Sequence, residues 1–220
     1  MSTALATIKE RIKAELETAK KSFEVPARPK ISLQNKKFTL PNGIASAQPI
    51  NVVIVDWRNT RTLYTGPFNP NNPQTPKCFA IAKALTDLAP HEQCLDPQAA
   101  SCAECPHDQW GSDPAGGKGK ACKNSVRLAV VPASTLDGES AQMYALDIPR
   151  TSIRNWESLV SRLSDNGQLP IEYIVEIAFS ADAAYPTLVF NESTQHEQLE
   201  QLWPLYEQAQ HFLKVHPSER

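Results

Sequence analysis

Cysteines are the residues of this chain whose type and spacing point most directly to chemistry. Cys102 and Cys105 form a Cys-x-x-Cys pair, and Cys122 follows after residues 106–121. A Cys-x-x-Cys turn directs two thiolates at one ion, and the gap to Cys122 lies within the range of structural zinc sites. We therefore expect a structural Zn²⁺ ion, which would also order a long stretch of low periodicity.

The fourth ligand of that ion is left open by the spacing. Cys78, Cys94 and His107 are the candidates, and proximity in the sequence alone favours Cys94. A redox Cys-x-x-Cys is the rival interpretation, but it belongs at a strand-to-helix junction of a βαβ pattern that this segment lacks. A catalytic zinc would need an open position and nearby His or carboxylate ligands, of which His91 and His107 are the nearby histidines.

Cations and aromatic side chains lie close to the cysteines. No acidic residue occurs between Asp113 and Asp137, and the run Gly116–Lys120 is a cationic, glycine-rich loop. Aromatic rings interleaved with cations are typical of single-strand binding, because bases stack on rings while cations neutralise phosphates. A solvated loop, and rings that belong to the core, are the alternatives. The predicted nucleic-acid-binding residues are Trp57, Arg58, Arg61, Tyr64, Phe68, Lys77, Trp110, Lys118, Lys120, Lys123 and Arg127.

Composition and charge exclude several classes of protein. The chain has 220 residues, 41% of them hydrophobic, and a net charge of −2, which excludes nucleic-acid binding through bulk charge. No uninterrupted apolar stretch of membrane-spanning length occurs, and Met1–Glu24 lacks the apolar core of a signal peptide. We expect a cytoplasmic protein that does not contact a membrane. Glycine-rich phosphate loops and a compact His, Asp and Glu cluster are missing, so no enzymatic activity is expected.

The hydrophobic pattern predicts a mainly β (α+β) fold in three parts. Residues 1–30 form an amphipathic helical arm and linker, residues 31–192 a β-barrel, and residues 193–220 a C-terminal helical segment. The zinc-binding insertion spans about residues 76–124 of the barrel. Short strands around one internal helix, without regular βαβ alternation, favour a small closed antiparallel barrel.

Individual elements of the barrel follow from the same pattern. Strands over Asn51–Trp57 and Arg61–Thr65 are predicted to form a hairpin that turns at residues 58–60. Val126–Pro132 and Gln142–Ile148 are predicted to form a second hairpin, and Ser152–Leu163 a helix. Trp203-Pro204 predicts a kinked or broken helix near the C-terminus.

Six segments together resemble a family of phage and prophage proteins encoded near replication genes. The layout is also similar to that of phage single-stranded-DNA-binding proteins with an OB-fold core and a zinc-binding insertion. The segments that carry the resemblance are Pro76–Cys78, Cys102–Pro106, Trp110–Ser112, Gly119–Cys122, Arg127–Val130 and Tyr185–Phe190.

The resemblance implies a fold and a function. It implies an OB-like antiparallel barrel, with Cys78, Cys102, Cys105 and Cys122 as the zinc ligands and Cys94 as an additional cysteine. The implied function is sequence-independent binding of single-stranded DNA in replication or recombination, in the host cytoplasm, with replication proteins as partners and self-association along the DNA. The alternative is a zinc-stabilised adaptor that binds a polymerase, or another replication or transcription protein, through protein surfaces.

Overall fold

The computed structural model describes residues 29–66, 74–94, 96–136 and 141–214. The predicted arm over residues 1–30 lies outside these ranges except for its last two residues. The strands are β1 (Lys30–Gln34), β2 (Lys37–Thr39), β3 (Ala45–Ser46), β4 (Ile50–Leu63), β5 (Cys78–Ala82), β6 (Lys123–Pro132), β7 (Tyr144–Ile148), β8 (Tyr173–Phe179) and β9 (Leu188–Gln195), and the α-helices are α1 (Ile153–Asp165) and α2 (Leu199–Phe212).

The prediction of a mainly β fold is confirmed. The strands form one strongly curled, half-barrel sheet in the order β3-β2-β1-β7-β6-β4-β8-β9, and β5 pairs separately with β4. The β1–β7 pair is parallel, whereas every other strand pair in the described residues is antiparallel. The sheet is therefore mixed, and its strand order runs from one edge, β3, to the other edge, β9.

Strand β4 is the centre of the sheet, and the hairpin predicted at residues 58–60 is wrong. Ile50–Leu63 is one continuous strand of 14 residues with a bulge between Ile54 and Asp56. Residues 58–60 stay in the sheet because they pair with β6 on one side, while Asn59 and Thr60 also pair with β5 on the other. The predicted hairpin of β6 and β7 is confirmed as an antiparallel pair, and its turn at residues 137–138 lies outside the described residues.

The apolar run at the start of β4 is explained by two packed layers. Val52 and Ile54 face a core that includes Trp156 and Leu159 of α1. Val53 and Val55 face the opposite core, with Leu202 and Ala209 of α2. Successive strand residues point to opposite faces, so a strand covered on both faces is apolar at every position.

Both helices lie close to their predicted positions. α1 begins one residue after Ser152, whose hydroxyl accepts the Leu188 N–H at 2.7 Å instead of capping the helix. The neighbouring Thr151 hydroxyl donates to the Pro186 carbonyl O at 2.8 Å. These two bonds fix the beginning of α1 to the residues that lead into β9. α2 is continuous through Pro204, so the prediction of a broken helix is wrong, while its alternative, a kinked helix, stays a prediction.

Candidate nucleic-acid interface and cysteine cavity

Strand β4 brings together the two ends of the cysteine-rich segment. β5 pairs with one side of β4, where Cys78 lies opposite Leu63. β6 pairs with the other side, where Lys123 lies opposite Thr62. Because Cys78 begins β5 and Cys122 immediately precedes β6, both cysteines lie at the same end of β4.

The Cys-x-x-Cys turn is held by backbone hydrogen bonds. The Cys102 N–H donates to the Leu88 carbonyl O at 2.9 Å, and the Cys105 N–H donates to the Cys102 carbonyl O at 3.3 Å. The Cys122 N–H donates to the His107 carbonyl O at 2.8 Å, which joins the turn to the residue before β6. Hydrogen bonds thus connect the region of the turn to Leu88 on the side of β5 and to Cys122 on the side of β6.

Four cysteines line one small cavity. Its walls include Cys78, Cys102, Cys105 and Cys122, and all four are buried. The five cysteines of the chain are free thiols. Burial raises the pKa of Cys78 and Cys102 to about 11 and that of Cys122 to about 12, with smaller contributions from neighbouring thiols and, for Cys102 and Cys122, from Asp108. At these pKa values the three side chains are neutral thiols at pH 7.

The four cavity cysteines have the right chemistry for zinc, but their side chains are not arranged around one ion. Four thiols that face one cavity are the ligands of a closed structural site. Within the ranges that the structure describes, however, no group of three or more His, Cys, Asp and Glu side chains is arranged to hold a metal ion. Zinc therefore stays a prediction. Its ligands would be Cys78, Cys102, Cys105 and Cys122.

Cys94 occupies a different position from the four cavity cysteines. Its Sγ accepts the Phe79 N–H at 3.0 Å and lies 3.5 Å from the Phe79 carbonyl O, to which the thiol can donate. It packs beside Cys78 but does not line the cavity. The Cys94 sulfur is thus hydrogen-bonded to the backbone of β5, and Cys94 lies next to the candidate ligand Cys78.

Asp108 connects the cavity to two of the predicted cations. Its carboxylate accepts from Arg61 Nε at 3.4 Å and from Lys120 Nζ at 3.1 Å, and all three side chains are largely covered. Asp108 and Arg61 also line the cysteine cavity. The two cations therefore help to hold the cysteine-rich segment against β4.

Two arginines that were predicted to bind phosphate are buried. Arg58 is 8% exposed and paired with Asp56 at 2.5 Å, and Arg127 is 5% exposed and paired with Asp147 at 2.9 Å. The two residues lie opposite each other on β4 and β6, and internal carboxylates neutralise both guanidinium groups. Neither guanidinium group is therefore available to a phosphate.

The remaining predicted cations lie nearer the surface. Lys123 is paired with Asp113 at 2.7 Å and Lys77 with Asp96 at 3.3 Å, and each pair is partly exposed. Lys118 is exposed and has no ion pair with any described residue. Exposed pairs of this kind exchange readily with other anions, since they contribute about 1 kcal/mol or less.

The predicted aromatic residues divide between core and surface. Trp57 packs against the core, meets Trp156 edge-on at 5.4 Å and carries Lys83 Nζ over its ring at 3.1 Å. Tyr64 is half-buried, and Phe68 lies outside the described residues. Trp57 is therefore shielded from an incoming base.

Trp110 is the predicted aromatic residue that is open to solvent. It is 67% exposed, and two cations lie near its ring: Arg150 Cζ at 4.8 Å and Lys120 Nζ at 5.6 Å from the ring centroid. Arg150 was missed by the sequence analysis. It follows β7, far from Trp110 in the chain, and only the folded sheet brings the two together.

In comparisons with known proteins, no family model, no curated protein and no solved structure matches the chain. In the four described ranges, no helix is long and apolar enough to cross a membrane. Fold and site together define a mainly β protein with a curled half-barrel sheet and a cysteine-lined cavity beside an exposed tryptophan.

Proposed function

We propose that this protein binds single-stranded DNA without sequence preference, catalyses no reaction, and acts in phage DNA replication or recombination. The observation that carries the proposal is Trp110, a largely exposed indole with Lys120 and Arg150 beside it. Such a ring offers a face to a base, and its cations lie where the adjoining phosphates would follow. In the same proposal the curled sheet is an OB-like barrel.

Exposure of a tryptophan has a cost that a binding role explains. A buried aromatic side chain would contribute about 1.5–3 kcal/mol to folding, and Trp110 forgoes most of this gain. Stacking of a base on an exposed ring contributes about 1–3 kcal/mol and does not depend on the base, because every base has a π-face. Stacking on Trp110 would thus add to the affinity without making it depend on the DNA sequence.

The charges near Trp110 suit a polyanion although the whole chain is slightly acidic. Lys118, Lys120 and Lys123 lie on the same segment as Trp110, and Arg150 reaches it from the end of β7. Two carboxylates of the same segment neutralise part of this charge: Asp113, paired with Lys123, and Asp108, shared by Lys120 and Arg61. A phosphate can replace the partly exposed Asp113 as the partner of Lys123, and Lys118 and Arg150 add positive charge where the strand would lie.

Zinc would have a structural role in this proposal. Bound to Cys78, Cys102, Cys105 and Cys122, it would fix the Cys-x-x-Cys turn and the end of β5 to the start of β6. The residues that follow the turn carry Trp110 and the lysines, so the ion would set the position of the binding surface. No chemical step is assigned to it.

Titration of labelled oligo-dT by fluorescence anisotropy at low salt tests the function. Wild-type protein should bind, and Trp110→Ala should weaken binding about fivefold or more, from the lost stacking. Lys118→Glu should also weaken binding, because it replaces a cation by an anion. Lys214→Glu is the charge-matched control, since Lys214 is also exposed but lies beyond α2. Absence of binding by the wild-type protein would overturn the proposal and leave the adaptor interpretation.

A further inference from the structure

Another exposed aromatic residue lies outside the cysteine-rich segment, in the loop before β9. Tyr185 is 72% exposed, which makes it more open than Trp110, and it was not among the predicted binding residues. It lies in the connection from β8 to β9, on a different segment from the cysteine cavity. An exposed tyrosine on a loop is the kind of side chain that supplies flat contact area at low entropic cost.

Hydrogen bonds place the Tyr185 loop beside Arg150. The residue after Tyr185 is Pro186, whose carbonyl O accepts the Thr151 hydroxyl at 2.8 Å. Thr151 directly follows Arg150, whose guanidinium lies 4.8 Å from the Trp110 ring centroid. The Trp110 ring, the Arg150 guanidinium and the loop that carries Tyr185 are therefore neighbours in the fold, although they belong to three separate segments.

These three segments carry an exposed ring, a cation and a second exposed ring in turn. Bases stack on tryptophan and tyrosine rings and also on guanidinium planes, while a guanidinium can pair with a phosphate. A second cation lies at the far end, since Lys36 Nζ donates to the Ala183 carbonyl O at 2.9 Å in the same loop. Asp182 is the acidic residue of this loop, so the charge there is mixed but not negative overall.

The geometry points to a path for the DNA strand that runs from Trp110 over Arg150 to Tyr185 and ends near Lys36. This inference rests on the proposed function and extends it. It assigns Arg150 and Tyr185 as binding residues and defines the route of the strand across the surface. The cysteine-rich segment then supplies one end of the binding surface, and the loop before β9 supplies the other.

A set of exposed-residue variants tests the path with oligo-dT of about 4 to 16 nucleotides, the range of single-strand site sizes. Tyr185→Ala should weaken binding of the longer oligonucleotides by about fivefold to 100-fold, the equivalent of one lost stacking contact. The loss should grow with length, since a short strand can stay on Trp110. Tyr185→Phe should retain wild-type affinity, because the ring remains.

Arg150 is tested separately through charge and shape. Arg150→Ala should weaken binding and lower the slope of log Kd against log salt by about 0.7, the equivalent of one phosphate contact. Arg150→Lys should restore the slope without the full affinity, since lysine keeps the charge but not the planar group. Trp203→Ala is the matched control for the ring variants, as Trp203 is 56% exposed on α2.

The outcomes separate the path from the function. If Trp110→Ala weakens binding while Tyr185→Ala and Arg150→Ala behave like Trp203→Ala, the path is wrong and the function stands. If the wild-type protein binds no oligo-dT, both fail, and a protein partner becomes the occupant to seek. Cross-linking by 5-iododeoxyuridine within one oligonucleotide at both Trp110 and Tyr185 would support the path independently, and cross-links that avoid the Tyr185 loop would contradict it.

Discussion

Asp56 shows how single residues hold the centre of this sheet together. It is 1% exposed, accepts from Arg58 Nη1 at 2.5 Å, and also pairs with Lys83. Lys83 in turn covers the Trp57 ring. A buried carboxylate is tolerated only when its charge is matched, so these side chains depend on one another.

We expect Asp56→Ala to destabilise the protein by about 3–5 kcal/mol, because it leaves the buried Arg58 without its carboxylate. Urea denaturation followed by circular dichroism measures the loss. Glu192→Ala is the control: Glu192 pairs with Arg162 on the surface, and loss of such a pair costs about 1 kcal/mol or less. Equal losses in the two variants would contradict a structural role for the Asp56 pair.

The position of the cations could be predicted from the sequence only where no internal partner existed. Lys118 was expected to be exposed and is. Arg58 and Arg127 look like surface cations in the sequence, because Arg58 falls in the expected turn at residues 58–60 and Arg127 follows the lysines of the cationic loop. Their carboxylates are Asp56, two residues away on a strand with a bulge, and Asp147, opposite Arg127 on β7. Such partners become visible only once strand register is known.

At the scale of elements, local signals located strands well and their connections less well. Polar residues at 58–60 favour a turn, yet β5 and β6 pair with this part of β4, and the pairing outweighs the local preference. Pro204 favours a break, but it lies within α2 while Leu202 and Ala209 pack into the core. In both cases tertiary packing overrides a local propensity that contributes about 1–3 kcal/mol.

Asp147 of β7 connects two other strands through charge. Lys30 of β1 donates to it at 2.7 Å, Arg127 of β6 donates at 2.9 Å, and Arg127 Nη1 also donates to the Leu213 carbonyl O beyond α2. Burial alone would raise the pKa of Asp147, but the attraction and hydrogen bonds of Arg127 and Lys30 outweigh it and hold that pKa well below its usual range.

A depressed pKa in the folded state predicts loss of stability in acid. The unfolded chain binds the proton near pH 4 and the folded protein only at lower pH, so the contribution of Asp147 is present above about pH 4 and is lost as the pH falls further. The free energy of unfolding, measured in urea from pH 6 to pH 2, should fall more steeply for the wild-type protein than for Asp147→Asn. Parallel curves for the two proteins would contradict this assignment.

At the scale of the whole molecule, the cysteine spacing predicted a common site, and the fold supplied its walls. Cys78 and Cys122 meet because β5 and β6 flank β4, which no local pattern of residues reveals. The exposure of Trp110 and the approach of Arg150 likewise depend on how the cysteine-rich segment lies against the end of β7. Sequence therefore identified the segment, while its neighbours across the surface required the structure.

We expect the purified protein to contain about one zinc ion per chain, measured by elemental analysis. Cys102→Ser and Cys122→Ser should lose the metal, since each would remove a cavity-lining ligand, whereas Cys94→Ser should retain it because Cys94 lies outside the cavity. Chelation should lower the thermal midpoint of the wild-type protein, as metal binding stabilises the folded state. Retention of zinc by Cys102→Ser, or its loss from Cys94→Ser alone, would contradict the ligand set.

Salt dependence tests how a chain of net charge −2 attracts a polyanion. If Lys118, Lys123 and Arg150 each meet one phosphate, the logarithm of the association constant for oligo-dT should fall with the logarithm of salt concentration with a slope of about −2. Trp110→Ala should lower the affinity without changing this slope, because stacking releases no counterions. A slope near zero in the wild-type protein would show that these cations do not meet the strand, and a slope altered by Trp110→Ala would show that the ring positions the phosphates as well as the bases.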